Sequence, residues 1–125
     1  MSERTYSVAI VGAGVVAQQI AESLVKRGFP LSSLRMFGDE GIVGTSIEVG
    51  ADSYGVEMLD ERTRNLEVVF LTREAAWGER DVELMVLSGA TVVDCSGRYA
   101  RELDVPLIVP ECNAEAMAES RLRQI

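Results

Sequence analysis

A chain of 125 residues, 47% hydrophobic and 26% charged, has the make-up of one ordinary globular domain spanning 1–125, long enough to bury a proper core. Its formal charge of −8 argues against nucleic acid or an anionic membrane as partner, since both attract basic surfaces. No apolar run approaches the roughly 18 residues that a membrane span needs, and the opening Met1-Ser2-Glu3-Arg4 has no leader pattern, so a cytoplasmic location is expected. Two cysteines give no disulfide framework. Histidine is absent, which removes the commonest general base and metal ligand together and leaves acid–base work to Asp, Glu, Lys or Tyr.

In chain order, the apolar run Val8-Ala9-Ile10-Val11 predicts a fully buried strand that turns abruptly on Gly12 and Gly14. A helical period begins at Val15, with Val16, Ile20 and Leu24 on one stripe and Ala17 and Ala21 beside it. Together these residues spell G-x-G-x-x-A, the dinucleotide-binding fingerprint. Gly12 makes the tight turn, Gly14 lets backbone N–H groups approach a pyrophosphate, and Ala17 lets the helix lie close to the strand. The helix start at Val15 and Val16 then offers N–H groups and a positive dipole end to phosphates. A strand–helix turn that merely packs tightly is the plain alternative.

The helix is expected to stop at Gly28, with Pro30 beyond it and Lys26 and Arg27 suiting its negative end. Leu34-Arg35-Met36-Phe37 predicts a second strand, parallel to the first because a helix intervenes. The turn Gly38-Asp39-Glu40-Gly41 closes it, placing Asp39, ahead of Glu40, where a carboxylate would take an adenosine ribose hydroxyl. A solvated acidic turn accounts for the same residues equally well. Alternation in Thr45, Ile47 and Val49, then Tyr54, Val56 and Met58, predicts two short strands around Gly50-Ala51-Asp52. Leu59 to Asn65 reads as a brief polar helix or turn.

Leu66 to Leu71 is the clearest strand after the first, and Thr72-Arg73-Glu74 is expected on the same rim as the glycine turn. Next comes a helix from about Ala75 or Glu79 to Leu87, buried through Val82, Met85 and Val86, with Gly78 a weak point near its start. Ala90 to Asp94 predicts another strand, ending in Cys95-Ser96-Gly97, where Ser96 would line the nicotinamide side of the cleft. The charged loop 98–102 leads to a short strand over Val105–Val109, and a last helix runs from Ala114 to about Arg123 with Asn113 as N-cap. This alternation predicts an α/β, Rossmann-like, doubly wound and mostly parallel sheet with helices on both faces.

Several stretches, taken together, resemble the aspartate-semialdehyde dehydrogenase family in its N-terminal NAD(P)-binding domain. They are Ser7 to Ala13, Arg27-Gly28-Phe29-Pro30-Leu31-Ser32-Ser33-Leu34-Arg35, Gly89 to Asp94, and above all Asp104-Val105-Pro106-Leu107-Ile108-Val109-Pro110-Glu111-Cys112-Asn113. The resemblance implies a fold that holds NAD or NADP, in an oxidoreductase that reduces aspartyl phosphate to the semialdehyde during amino-acid biosynthesis. It also implies that the catalytic cysteine, in an N-C-[ST] motif, and the catalytic histidine lie beyond Ile125, in a domain absent from this chain. That missing C-terminal domain, or self-association in its place, is the expected protein partner.

The departures from the family pattern are specific. The first loop, Gly12 to Ala17, is one residue shorter than the family's G-A-T-G-x-V-G. Asp39 and Glu40 stand where the family commonly has Ser and Arg for the extra phosphate of NADP, which tilts the preference to NAD. Glu74 and Ala75 replace a Gly-Gly loop, and Glu74 near a pyrophosphate would repel it unless it turns outward or Arg73 offsets it. Cys95 replaces an Asn, and the family's phosphate-binding Arg aligns with Ala100, flanked here by Arg98 and Arg101. These departures are equally similar to the divergent, non-catalytic Usg-type relatives, so a Rossmann-like interaction module without cofactor stands as the alternative.

Cys112 and Cys95 are expected to be packing residues, with no histidine to activate either and no spacing for a metal. Trp77 is expected to pack, Arg121 and Arg123 to form the cationic end of the last helix, and the acidic run 111–119 to be a solvated face. The cofactor-binding set is therefore Gly12, Gly14, Val15, Val16, Asp39, Thr72 and Ser96, with no catalytic residue and no metal ligand.

Overall fold

The computed structural model describes residues 4–59, 65–73 and 77–125. Residues 60–64 of the polar helix or turn predicted over Leu59–Asn65, and the Glu74–Ala75 departure, lie outside the described residues. The chain folds as β1 (Tyr6–Val11), α1 (Val15–Lys26), β2 (Leu31–Gly38), β3 (Ser46–Val49), β4 (Asp52–Met58), β5 (Val68–Leu71), α2 (Glu79–Leu87), β6 (Thr91–Asp94), α3 (Pro110–Asn113) and a 3₁₀ helix (Ala114–Leu122).

The strands form one sheet in the order β3-β4-β2-β1-β5-β6. Every neighbouring pair is parallel except β3 with β4, which the turn at Gly50-Ala51 folds back antiparallel. β1 is interior, held by β2 on one side and β5 on the other, so its apolar run meets backbone partners on both edges and side-chain layers on both faces. Val8 and Ile10 point to one layer with Met36, Ile47, Val49, Val56 and helix α1. Ala9 and Val11 point to the other with Phe37, Val69, Leu71, Val92 and helix α2. Helices therefore cover both faces, and the chain has the α/β Rossmann-like fold read from its sequence.

Helix α1 meets the sheet through Ala17 and Ala21, both fully buried, while Val16 is 42% exposed and Ile20 and Leu24 are half-buried. The expected stripe of larger residues is thus the flank of the contact, because two alanines let the helix axis come close enough to make them its centre. Strand β2 begins at Leu31, earlier than its hydrophobic run implied, because Tyr6 N–H donates to Pro30 O (2.8 Å) and opens the ladder there. On its exposed side Arg35 forks onto Glu57 of β4 (3.0 and 2.8 Å), and this contact holds the Glu57 carboxyl below the usual carboxylate range.

Helix α2 starts at Glu79, and Gly78 is its N-cap rather than a weak point: Asp81 in the first turn accepts the Gly78 N–H at 2.8 Å. Two further expectations fail in the C-terminal quarter. Residues 105–109 join no strand, because Asn113 turns back to accept Val109 N–H (2.7 Å) and donate to Leu107 O (2.8 Å), satisfying locally the groups a ladder would use. The same two bonds take Asn113 away from capping, and residues 114–122 form a 3₁₀ helix instead of the predicted α-helix.

Arg123 is no mere helix-end charge. Its guanidinium bridges Asp104 (3.2 Å) and Glu79 (3.3 Å) and lies over the Tyr99 ring, fastening the last helix to α2. Both cysteines are exposed, contrary to the expected packing role, since Cys112 sits on the short α3 at the surface and Cys95 in the turn after β6.

Burial predicts unequal costs in β1 and at the start of α1. Ile10→Ala, at a fully buried central site, is expected to lower unfolding stability by about 2–5 kcal/mol, whereas Val15→Ala, at an exposed helix start, should change it by less than about 0.5 kcal/mol. Urea denaturation of the two variants checks this.

Candidate functional site

The chain leaves β1, builds β2 to β4 on one side, and returns to place β5 and β6 on the other. This reversal leaves a crevice outside the carboxyl ends of β1 and β5, the position where open α/β sheets bind ligands. Four segments meet that rim: 12–16 after β1, the turn at Asp39 after β2, Thr72 and Arg73 after β5, and 95–98 after β6.

Gly12 takes φ +139° and its N–H donates to Phe37 O at 2.7 Å, tying the turn to β2. A Cβ on Gly12 would lie 2.0 Å from the Thr72 Oγ1. The glycine is therefore required twice, by its left-handed backbone and by the close approach of Thr72. Gly14 is the N-cap of α1 and has no side chain to offer, and no acidic residue stands in the first turn. Val15 is 69% exposed at the helix start, with Val16 beside it. This arrangement fits a diphosphate, because it leads a small-residue turn into the positive end of a helix.

Asp39 is half-buried at the end of β2, and its Oδ1 accepts Gly41 N–H at 2.8 Å, shaping the turn that presents it. Thr72 is fully buried. Its N–H and its hydroxyl both donate to Val11 O, at 3.2 and 2.7 Å, which closes the β1–β5 seam. Ser96 is also buried, and its hydroxyl donates to Asp94 Oδ1 at 2.5 Å while accepting Arg98 N–H at 3.2 Å. Thr72 and Ser96 both line the cleft after β5 and β6, with hydroxyls already engaged by the chain itself.

Three residues outside the expected cofactor-binding set shape this end of the cleft. Asp94 accepts Ser96 N–H (2.8 Å) and Tyr99 N–H (2.9 Å) and so folds the turn after β6. Trp77 donates its indole N–H to Thr72 O at 2.8 Å and stacks on the Tyr99 ring, with centroids 6.3 Å apart. Arg73 donates its Nε–H to Ser96 O at 2.5 Å, clamping the β5 turn to the β6 turn. An aspartate that ends a strand before two small residues was the available signal for the first. Nothing local marks the other two.

For chemistry, Cys95 is a poor candidate. Desolvation around its sulfur, and then the Asp94 carboxylate, push its thiol up from the ordinary value, away from the reactive thiolate. The Tyr99 phenol is also pushed up, first by burial and then by the Glu79 carboxylate that accepts its O–H at 2.8 and 2.9 Å. Among the described residues no cluster of His, Cys, Asp or Glu could hold a metal ion, and no helix is long and apolar enough to cross a membrane.

Comparison with known proteins agrees with this geometry. Residues 7–120 match the family described as semialdehyde dehydrogenase, NAD binding domain. The chain is 33% identical over 112 residues to an aspartate-semialdehyde dehydrogenase of Campylobacter jejuni, covering 86% of this chain and 33% of that protein. It is 31% identical over 124 residues to aspartate-semialdehyde dehydrogenase 2 of Vibrio cholerae, covering 96% of this chain and 36% of the relative. The crystal structure of aspartate semialdehyde dehydrogenase II from Vibrio cholerae superposes with a TM-score of 0.84 at 28% identity, over 98% of this chain and 37% of that one. The chain thus spans about a third of the length of the curated relatives it matches.

Two outcomes test the site geometry. Gly12→Ala is expected to cost about 1–3 kcal/mol from overpacking alone, and part of that loss should return in the Gly12→Ala/Thr72→Ala double variant, read by urea denaturation. The Tyr99 phenol should still be protonated at pH 10, about the ordinary tyrosine value. Its stabilising share is therefore fully present below pH 10 and is lost as pH rises through the higher folded value. The difference in 295 nm absorbance between the wild-type chain and Tyr99→Phe should develop only above pH 10.

Proposed function

Given that this chain belongs to the family of semialdehyde dehydrogenase NAD-binding domains, we propose that residues 1–125 form one unit holding a nicotinamide dinucleotide across the carboxyl ends of β1, β2, β5 and β6. Gly12, Gly14, Val15 and Val16 meet the diphosphate, Asp39 accepts a ribose hydroxyl, and Thr72 and Ser96 line the cleft beyond. The observation that carries this reading is the β1–α1 turn, where a left-handed Gly12 and a side-chain-free N-cap lead into an exposed helix start at the point where strand order reverses.

When bound, the nicotinamide ring supplies hydride transfer; the chain's own residues bind and orient it. Asp39 tilts the preference towards NAD, because a carboxylate accepts a hydroxyl and repels a 2′-phosphate. In the longer relatives this domain is one third of the protein, and we assign the chemistry, reduction of an acyl phosphate to an aldehyde, to residues outside this chain. The segment by itself is not catalytic on this reading: it has no histidine, and its Cys95 thiol is held in the unreactive form.

A second reading is a module that works by association without the cofactor. It draws on the apolar surface of the C-terminal quarter, where Leu107 is 67% and Met117 57% exposed. Light scattering that finds a monomer over a wide concentration range counts against it.

Calorimetry with NAD and NADP, together with amide shifts at Gly12 and Gly14, tests the first reading. NAD is expected to bind more tightly than NADP, and Asp39→Asn should narrow that gap by about tenfold, the equivalent of one charged contact. Absence of heat and of any shift at Gly12 and Gly14 overturns the dinucleotide reading; tighter binding of NADP overturns the role of Asp39.

A further inference from the structure

The turn that carries Asp39 contains little that would hold it still. Glycine fills three of the seven positions from Gly38 to Gly44, and Glu40, Gly41, Val43 and Gly44 are exposed. A glycine has more backbone freedom to lose on ordering than any other residue. The bonds inside the turn are local. Asp39 O accepts Ile42 N–H and Val43 N–H at 3.1 and 3.0 Å, and Ile42 O accepts the Thr45 N–H and hydroxyl at 3.1 and 2.6 Å. Solvent-facing bonds of this kind open readily when no buried side chain backs them.

Here one side chain does. Ile42 is half-buried and packs against both core layers, and it is the one hydrophobic residue of the turn that does so. Its seat is the last residue of β2: a Cβ on Gly38 would stand 2.2 Å from Ile42 Cδ1 and 3.2 Å from Val56 Cγ1. Gly38 is a buried strand residue paired with Met58 and is not among the left-handed glycines, so space rather than backbone conformation demands a glycine there. Gly38 and Ile42 form a fitted pair that brackets Asp39. Beyond Ile42 the chain is tied to β4, where Gly44 N–H donates to Val56 O at 3.2 Å and Val56 N–H donates to Thr45 O at 2.8 Å.

We infer that Ile42 is a positioning residue for cofactor choice: seated on Gly38, it fixes the turn from which the Asp39 carboxylate tells a ribose hydroxyl from a 2′-phosphate. The inference rests on the dinucleotide reading and on the role given there to Asp39. A carboxylate accepts a hydroxyl only within about 3 Å, and its repulsion of a phosphate falls with distance and with the water and salt between them. On a loose turn the carboxylate would swing away from NADP, and NAD would have to order it on binding, so both halves of the discrimination would shrink. A residue that served stability alone would weaken both dinucleotides alike.

Calorimetry with NAD and NADP tests this through the ratio of the two affinities. Ile42→Ala is expected to narrow the ratio by about three- to tenfold, most of the effect of Asp39→Asn, through weaker NAD binding. Ile42→Val, which keeps the branched contact, should hold the ratio within about twofold of the wild type. In an Asp39→Asn background, Ile42→Ala should change the ratio no further, because both substitutions act through one carboxylate. Gly38→Ala leaves Ile42 in the chain but takes its seat; it should narrow the ratio in the same way, and it decides the matter if Ile42→Ala fails to fold. Equal loss of affinity for both dinucleotides, a ratio that neither Ile42→Ala nor Gly38→Ala changes, or additive effects in the double variant overturns the inference and leaves the role of Asp39 standing. A ratio that Asp39→Asn itself leaves unchanged overturns that role and the inference together. A wild-type chain that binds neither dinucleotide overturns the dinucleotide reading, and the inference falls with it.

Discussion

The carbonyl of Val11 accepts two donors from one residue, the N–H and the hydroxyl of Thr72. That pair of bonds from the end of β5 is possible only because Gly12 has no side chain in the space Thr72 fills. The consequences run outward from it. Thr72 presents its own carbonyl to the Trp77 indole, Trp77 lies under Arg98, and Arg98 belongs to the turn that Asp94 folds at the end of β6. One continuous line of contact therefore joins the first turn of the protein to the last strand. A ligand crossing that rim would touch parts of a single packed unit rather than independent loops.

The electrostatics of the rim differ from those of the whole. Acidic residues dominate the surface, yet the end of the cleft beyond Thr72 presents two guanidiniums, while the end beside β2 presents Asp39.

The C-terminal quarter serves the sheet in a different way. Gln124 O accepts Val92 N–H at 2.7 Å, so part of the outer edge of β6 is met by the chain's own last residues, and Ile125 is buried in the α2 layer. Arg123 holds that arrangement against α2 through Glu79 and Asp104. These exposed pairs are weak individually, and the ring of Tyr99 beneath the guanidinium adds packing that the charges alone lack.

From the sequence alone, the elements governed by local rules were legible. Val8 to Val11 could only be a strand buried on both faces, and Gly12, Gly14 and Ala17 read directly as a strand–helix turn with close packing, because period and residue size are local properties. The hairpin at Gly50-Ala51, both helix stops and the class of sheet came from the same logic. Tertiary structure decided the rest. Residues 105–109 have strand-like composition but found in Asn113 a nearer partner for their backbone than any sheet edge, and composition does not record which acceptor is closer. Cys95 and Cys112 stay exposed because only the packing of distant segments determines what is covered. Arg73 and Arg98 come from two separate turns, and only the parallel alignment of β5 with β6 brings them to one cleft.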